Sequence, residues 1–336
     1  MTIEELFKSE GIWNAAGERD ADIVLKSNSR FFRNLQGHPF HHRLSRKEGE
    51  EVTGRLLSEI QEGEYATSYR PSGCTPMERH ILTERNILQD DTAEDSVVVL
   101  SHNENSYFVL GSYDHLTLVS SRSGFQFDDH GREVLDDLER RLGFEFLPDI
   151  GYLTSRPEHA GGGVELSVTL HLAGIVNAGR MNELIIELNR RGLALKSSWI
   201  DGYYKVYNRS SRHLLDEDVQ EYVLKSFQKI VQKERAVRKG FYLSNRSKIE
   251  DKIWRSYGIL MSCRLISLFE ALELLSHLRF GLSLGIINYI SLKDINLLLY
   301  FIQDYHLMKR YNLEGEDQNL EEVRAQFLRD YLKEVL

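Results

Sequence analysis

Three histidines crowd the segment 37–43, Gly-His-Pro-Phe-His-His-Arg, and imidazole is a common metal ligand. Their spacing argues against a metal. Adjacent His41 and His42 point apart on a helix or a strand, no acidic residue follows three or four places on, and Pro39 separates His38 from the pair. No metal is expected. The run Gly161-Gly162-Gly163, after Arg156-Pro157-Glu158-His159, could bring backbone N–H groups close to a phosphate. It leads into a strand, however, whereas a P-loop follows a strand, opens a helix and ends in Gly-Lys-Ser/Thr. Taken alone it reads as a flexible turn. Two basic segments remain, 26–33 and 233–239, and the second reads as a solvated helix face near a C-terminus, where cations suit the helix dipole.

These residues need a scaffold, and hydrophobic periodicity supplies its outline. Runs at 97–100, 107–110, 116–120 and 164–172 are β-branched and apolar, bounded by Asn, Asp and Gly, and predict strands of one sheet. The stretches 130–142 and 216–239 predict helices, the second placing Val219, Val223, Phe227, Ile230 and Val231 on one face. After that the β signal vanishes, and 248–261, 267–278, 292–306 and 320–336 each carry a helical pattern. The segment 241–247 separates the two regimes, which predicts an α+β unit over 1–244 and a small all-helical unit over 245–336.

Composition narrows the function classes. The chain of 336 residues has 41% apolar and 28% charged positions, as expected of roughly two folded domains, and is neither disordered nor fibrous. Lys and Arg number 42 against 51 Asp and Glu, a formal net charge of −9, which disfavours binding to nucleic acid or an anionic membrane. Neither is expected as a partner. Cys74 and Cys263 form neither a disulfide framework nor a zinc pattern, which suits a reducing compartment. The opening residues lack the basic and apolar regions of a signal peptide, so a cytoplasmic location is expected.

Several stretches resemble one family in order. Val24-Leu25-Lys26-Ser27-Asn28-Ser29-Arg30-Phe31-Phe32-Arg33-Asn34-Leu35 resembles V-L-S-S-R-x-R-x-x-R-N-L, the opening motif of the bacterial protein arginine kinases (McsB), relatives of creatine and arginine kinases. Gly151-Tyr152-Leu153-Thr154-Ser155-Arg156-Pro157 resembles G-Y-L-T-S-C-P, and 161–172 resembles G-T-G-L-R-A-S-V-M-x-H-L. Arg255-Ser256-Tyr257-Gly258-Ile259-Leu260 with Cys263-Arg264 resembles R-S-Y-G-x-L-x-x-C-R, and 278–287 continues in the same order. The resemblance covers nearly the whole chain. It implies a phosphagen-kinase-like α+β fold, an antiparallel sheet flanked by helices, followed by a helical domain used for dimer contacts. It also implies phosphoryl transfer from Mg-ATP to a guanidinium, with arginines on the phosphates and carboxylates on the acceptor.

Carried over residue by residue, the family's site is depleted. Its first arginine on the opening strand is Asn28, while Arg30 and Arg33 match the later two. Its N-E-E-D-H-x-R falls on 111–117, so that the glutamate base is Tyr113 and a phosphate-binding arginine is Thr117, with Asp114 and His115 retained. Another phosphate-binding arginine is Glu165, and the cysteine of the guanidinium-side loop is Arg156. The R-G-x-x-G-E motif resembles 196–201 only weakly, leaving Lys196 and Asp201 as remnants. On this tally charge opposes the nucleotide, and losing a base costs about 10²–10⁴ in rate. The resemblance therefore implies a pseudokinase with no catalytic residues and no resident cofactor, Mg-ATP being required only if it is active with a rearranged site.

The helical unit retains more. Active relatives carry a phosphoarginine pocket with R-D-x-x-R-A, here matched by Leu320-Glu321-Glu322-Val323-Arg324-Ala325, so Glu321 and Arg324 are candidates for that site. The alternative is an apolar helix face with Arg324 solvated. The partners that the resemblance implies are a McsA-like zinc-binding activator, a ClpC-type unfoldase, phosphoarginine-bearing proteins and a second copy of the chain as a homodimer.

Overall fold

The protein is described by a computed structural model over residues 3–11, 19–60, 65, 67–89, 92–127, 129–198, 200, 202–215, 217–313 and 319–335. Its strands are β1 (Val24–Arg33), β2 (Thr67–Tyr69), β3 (Val97–Leu100), β4 (Ser106–Leu110), β5 (Leu116–Ser123), β6 (Phe146–Leu147), β7 (Gly151–Tyr152), β8 (Val164–His171), β9 (Leu193–Ser197) and β10 (Tyr203–Asn208). Its helices are α1 (Ile3–Lys8), α2 (Arg46–Ile60), α3 (Pro76–Glu84), α4 (His130–Leu142), α5 (Ala173–Asn177), α6 (Met181–Arg190), α7 (Glu217–Ser262), α8 (Leu268–Ser283), α9 (Leu292–Phe301), α10 (Asp304–Arg310) and α11 (Leu320–Glu334). No described helix is long and apolar enough to cross a membrane.

Eight strands form one antiparallel sheet in the order β2-β3-β4-β5-β1-β8-β10-β9, while β6 and β7 make a separate two-stranded sheet. The expected sheet flanked by helices, with a helical C-terminal region, is present. The central strand β1 escaped the pattern reading because Lys26, Ser27, Asn28, Ser29 and Arg30 interrupt its apolar residues. It is extended because β5 and β8 pair with it on either side, Asn28 lying opposite both Ser121 and Ser167. Here tertiary pairing overrides local propensity.

One face of the sheet is dry. Phe31, Phe108, Leu118, Val168 and Val206 pack there against Leu56, Leu135, Leu188, Phe227 and Ile230 from α2, α4, α6 and α7. Each such side chain contributes about 1.5–3 kcal/mol on full burial. On the other face, α1 and α3 cover only the β2–β5 side, through Leu6, Phe7, Ile81 and Leu82 against Val98, Val109 and Val119. Polar side chains of β1, β8, β9 and β10 line an open cleft beside them. The helical unit has its own core, which reaches the sheet unit through Leu25, Ile200 and Tyr203.

Between the two regimes α7 runs on through 241–247, with a non-helical conformation at Asn245 alone (φ −134°, ψ 27°). The polar segment is thus a bend within a helix. The basic run 233–239 is solvated only in part, at Arg235 and Lys239. Lys233 reaches Glu183 and Glu187, Arg235 reaches Asp20 and Asp22, and Arg238 is buried against Glu234 and the His171 carbonyl. The pattern at 292–306 divides into α9 and α10, because Ile302 ends α9 and its carbonyl accepts from Arg324 Nε at 2.9 Å.

Candidate functional site

Strand parity and register assemble residues that lie far apart in the sequence. Successive side chains alternate between faces, so Lys26, Asn28 and Arg30 of β1 share the open face. Lys26 lies opposite Thr169 of β8, Thr169 opposite Lys205 of β10, and Lys205 opposite Lys196 of β9. Arg30 lies opposite Glu165 four residues along the same strands. Together they line a cleft of about 520 Å³ that also receives Arg156, Glu158, His159 and Arg209. Among its described lining residues are six Lys or Arg and two carboxylates, Glu158 and Glu165.

That balance corrects the expectation that charge opposes an anionic ligand. Glu165 stands where the family resemblance expects an arginine, and Lys205 Nζ donates to its Oε1 at 2.6 Å. Burial would raise the Glu165 carboxyl, yet Lys205 first and Arg30 next hold it below the usual carboxylate range. Lys26 is only 4% exposed, and burial, reinforced by the charge of Lys205, pushes its ammonium down to about 7. Burial also lowers Lys205, against the pull of Glu165. Lys196 sits at the exposed end of the row, its Nζ 5.9 Å from the Tyr207 ring centre.

On the acceptor side the retained residues are structural. Tyr113, at the base position, is 49% exposed, and the Arg156 guanidinium lies 4.1 Å above its ring. Asp114 is buried, and its Oδ1 accepts from Asn34 Nδ2 and from the Ser155 amide, both at 2.7 Å. His115 Nδ1 accepts from the Leu35 amide at 3.0 Å, which leaves the ring proton on Nε2 for the Pro39 carbonyl at 2.9 Å. Burial pushes this imidazole down to about 4. The Asp114–His115 pair thus locks the end of β1 to the loop before β5. Thr117 lies beside Arg30, Tyr113, Asp114 and Arg156 around a small hollow of about 20 Å³. Asn28 accepts from Ser121 Oγ at 2.7 Å on the cleft floor.

Two expected ligand residues lie elsewhere. Arg33 is an odd number of residues from Arg30 and so faces away from the cleft. Its Nη1 donates to the carbonyls of Phe32 and Gly163, both at 2.9 Å, and its guanidinium stacks 3.4 Å from the Tyr152 ring centre. Arg324 is also internal. It is buried, donates to the carbonyls of Ile302 and Ile266 and pairs with Asp304. Neither a solvated Arg324 nor one open to phosphoarginine fits this arrangement, and Glu321 stays on the exposed side of α11. Asp201 lies outside the described residues.

The glycine run is a packing device. The Gly161 amide donates to the Tyr152 carbonyl and the Gly162 amide to that of Ser211, while a Cβ on Gly163 (φ +58°) would lie 2.4 Å from Arg33 Nη1. Among the described residues no group of three or more His, Cys, Asp or Glu is placed to hold a metal ion. Sequence reasoning missed Lys26, Thr169, Lys205 and Arg209. The period-2 spacing of Lys26, Asn28 and Arg30 was the available signal, since three polar residues on one face of a strand mark a wet surface.

Comparison with known proteins matches two stretches of the chain. Residues 48–237 match the ATP:guanido phosphotransferase C-terminal catalytic domain, and 246–336 match the protein-arginine kinase McsB C-terminal domain. The protein-arginine kinase of Symbiobacterium thermophilum is 30% identical over 97% of this chain and 98% of its own length. That of Halalkalibacterium halodurans is 29% identical over 97% of each chain. Among solved structures, lombricine kinase superposes with a TM-score of 0.57 at 16% identity, over 67% of this chain and 70% of that one. A duplicated taurocyamine kinase of Schistosoma mansoni gives 0.56 at 14% identity, over 67% of this chain and 34% of that one. At such identities the structural likeness concerns the fold.

Proposed function

The chain belongs to the protein-arginine kinase family of ATP:guanido phosphotransferases, and we propose that it is a noncatalytic member of it, a pseudokinase that acts by binding. One observation carries this reading: where the family places its base, Tyr113 lies on the surface beneath Arg156. A phenol with a reference pKa near 10 does not replace a carboxylate that must accept a proton and pair with a guanidinium. Of the described carboxylates nearby, Asp114 is held by Asn34 and the Ser155 amide and Glu165 by Lys205, while Glu158 is exposed in the cleft lining. Arg156 further repels an incoming guanidinium. The cations of the cleft still suit phosphates, so what is lost is the chemistry of the acceptor side.

On this reading the units 1–244 and 245–336 serve as a scaffold and a contact domain in protein quality control, within the cytoplasm and as a homodimer. The partners are those that kinship suggests, a McsA-like activator, a ClpC-type unfoldase or phosphoarginine-bearing proteins. Incubation with Mg-ATP and a generic protein substrate, followed by mass spectrometry, tests the central point. No phosphoarginine is expected even at long incubation. Phosphoarginine formed at a rate that Asp114→Ala abolishes overturns the proposal.

The positive lining favours a second reading, a slow phosphotransferase with a rearranged site in which Arg30, Lys205 and Lys196 hold the phosphates of Mg-ATP. Positioning alone can support residual turnover. The same mass spectrometry decides between the two.

A further inference from the structure

The eight-stranded sheet ends in two outer strands, β2 and β9, and β9 borders the open cleft. Its ladder with β10 is continued by two bonds just beyond the strand, from the Arg209 amide to the Gly192 carbonyl and from the Ser198 amide to the Tyr203 carbonyl, both at 2.9 Å. Antiparallel pairing alternates, so Ala194 and Lys196 bond β10, while the amides and carbonyls of Leu193, Leu195 and Ser197 point away from it. Leu193 is fully buried, but Leu195 is half-buried and Ser197 is exposed. No other described strand pairs with this edge. An open row of backbone donors and acceptors is a template for one more strand.

The surroundings select its chemistry. Arg190, which ends α6, and Arg209 flank the start of β9, and Lys196 projects from its middle into the cleft. All three are exposed, and among the described residues no carboxylate pairs with any of them. Side chains of an added strand alternate between the two faces of the sheet. On the cleft face they meet Lys196, and on the other they meet Leu195, which packs with Leu193 and Val206 in the apolar layer. A second copy pairing edge to edge would gather the same cations from both chains, and like charges facing across strands repel.

We propose that the outer edge of β9 takes an extended segment of a partner protein as a ninth strand, a segment whose side chains alternate between acidic and apolar. Backbone bonds to Leu195 and Ser197 set the register, and Arg190, Lys196 and Arg209 supply the preference for acid. The inference rests on the reading of the chain as a binding protein, but its readout is separate from phosphoarginine formation, so either can fail without the other.

Fluorescence anisotropy of a labelled Glu-Val repeat peptide with the full chain tests it, alongside a Lys-Val repeat of the same length. Saturable binding of the first and none of the second is expected, weakening as salt screens the exposed charges. Proline is tolerated on an edge strand where its nitrogen faces outward. Leu195→Pro and Ser197→Pro therefore each remove one outward donor with the β10 ladder intact, and each should weaken the peptide at least about fivefold. Arg190→Glu, outside the cleft lining, should weaken it by a smaller factor. Hydrogen exchange at the Leu195 and Ser197 amides should slow when the peptide binds, while Ala194 and Lys196, already bonded to β10, keep their rates. No binding of the Glu-Val peptide at millimolar concentration overturns the proposal, as does binding that both proline variants leave unchanged or a Lys-Val peptide bound equally well. A dimer that Ser197→Pro dissolves overturns it in favour of a second copy on this edge.

Discussion

Two groups of buried cations among the described residues are treated in opposite ways. Where the helical unit meets the sheet unit, each buried arginine has its acceptors built around it. Arg238 pairs with Glu234, whose carboxylate also accepts from the Gly174 and Ile175 amides. Arg279 donates to Asn296 and the Ala21 carbonyl, and Arg85 to the carbonyls of Leu6 and Ser9 with Glu104 beside it. In the cleft, Lys205 and Lys196 face each other across the strands, Lys26 lies near Lys205, and Glu165 pairs with Lys205. A guanidinium with several fixed donors suits a permanent joint, whereas an ammonium that loses its proton easily suits a site whose counter-charge comes and goes. The difference separates a buried joint from an open cleft.

The largest expected effect breaks the joint. Arg238→Ala leaves Glu234 buried without its cation and should cost about 3–5 kcal/mol, as removing one partner of a buried pair does. Denaturant unfolding followed by far-UV circular dichroism measures this. A loss below about 1 kcal/mol would mean that the seam is no more committed to its arginines than the cleft is to its lysines.

Next in size is a gain. With its pKa lowered from 10.5 to about 7, Lys26 binds its proton less readily folded than unfolded, so stability rises as pH goes from 7 towards 10.5. Below pH 7 the penalty is complete, and above 10.5 it is absent. Lys26→Met should therefore stabilise the ligand-free protein near pH 7 by on the order of 2–4 kcal/mol and flatten this rise. The charged groups facing Lys26 across the cleft, Lys205, Arg30, Glu165 and Arg156, stay in place in that variant. An unaltered pH profile would show that Lys26 is not the repelled group.

The smallest effect sharpens the contrast on the acceptor side. Tyr113→Glu supplies the carboxylate that the family resemblance expects there, yet Arg156 stands over it, and Asn28, Thr117 and Glu165 occupy positions where that resemblance expects arginines. Stability should change by less than about 0.5 kcal/mol at so exposed a position. No phosphoarginine should form, by mass spectrometry. Activity gained by this single change would trace the proposed inactivity to one residue.

Much of the architecture was legible in the sequence because apolar periodicity is local. The helix at 130–142 and the strands at 97–100 and 116–120 follow from spacing alone, and the ordered motifs led to the family and its fold. The central strand was not legible, since Lys26, Asn28 and Arg30 break the pattern that marks a buried strand. Arg33 and Arg324 matched motif letters and yet turned inward, because a motif specifies residue type whereas the cleft depends on which way each side chain faces.

Residue chemistry was written in the chain: the missing base at Tyr113, the carboxylate at Glu165, the cation at Arg156. Proximity was not, and only the antiparallel register brings Lys26, Thr169, Lys205 and Lys196 into one row. Charge is a property of a residue and can be counted along a sequence, but repulsion and desolvation depend on distance and on water. Those are settled when strands distant in sequence pair side by side.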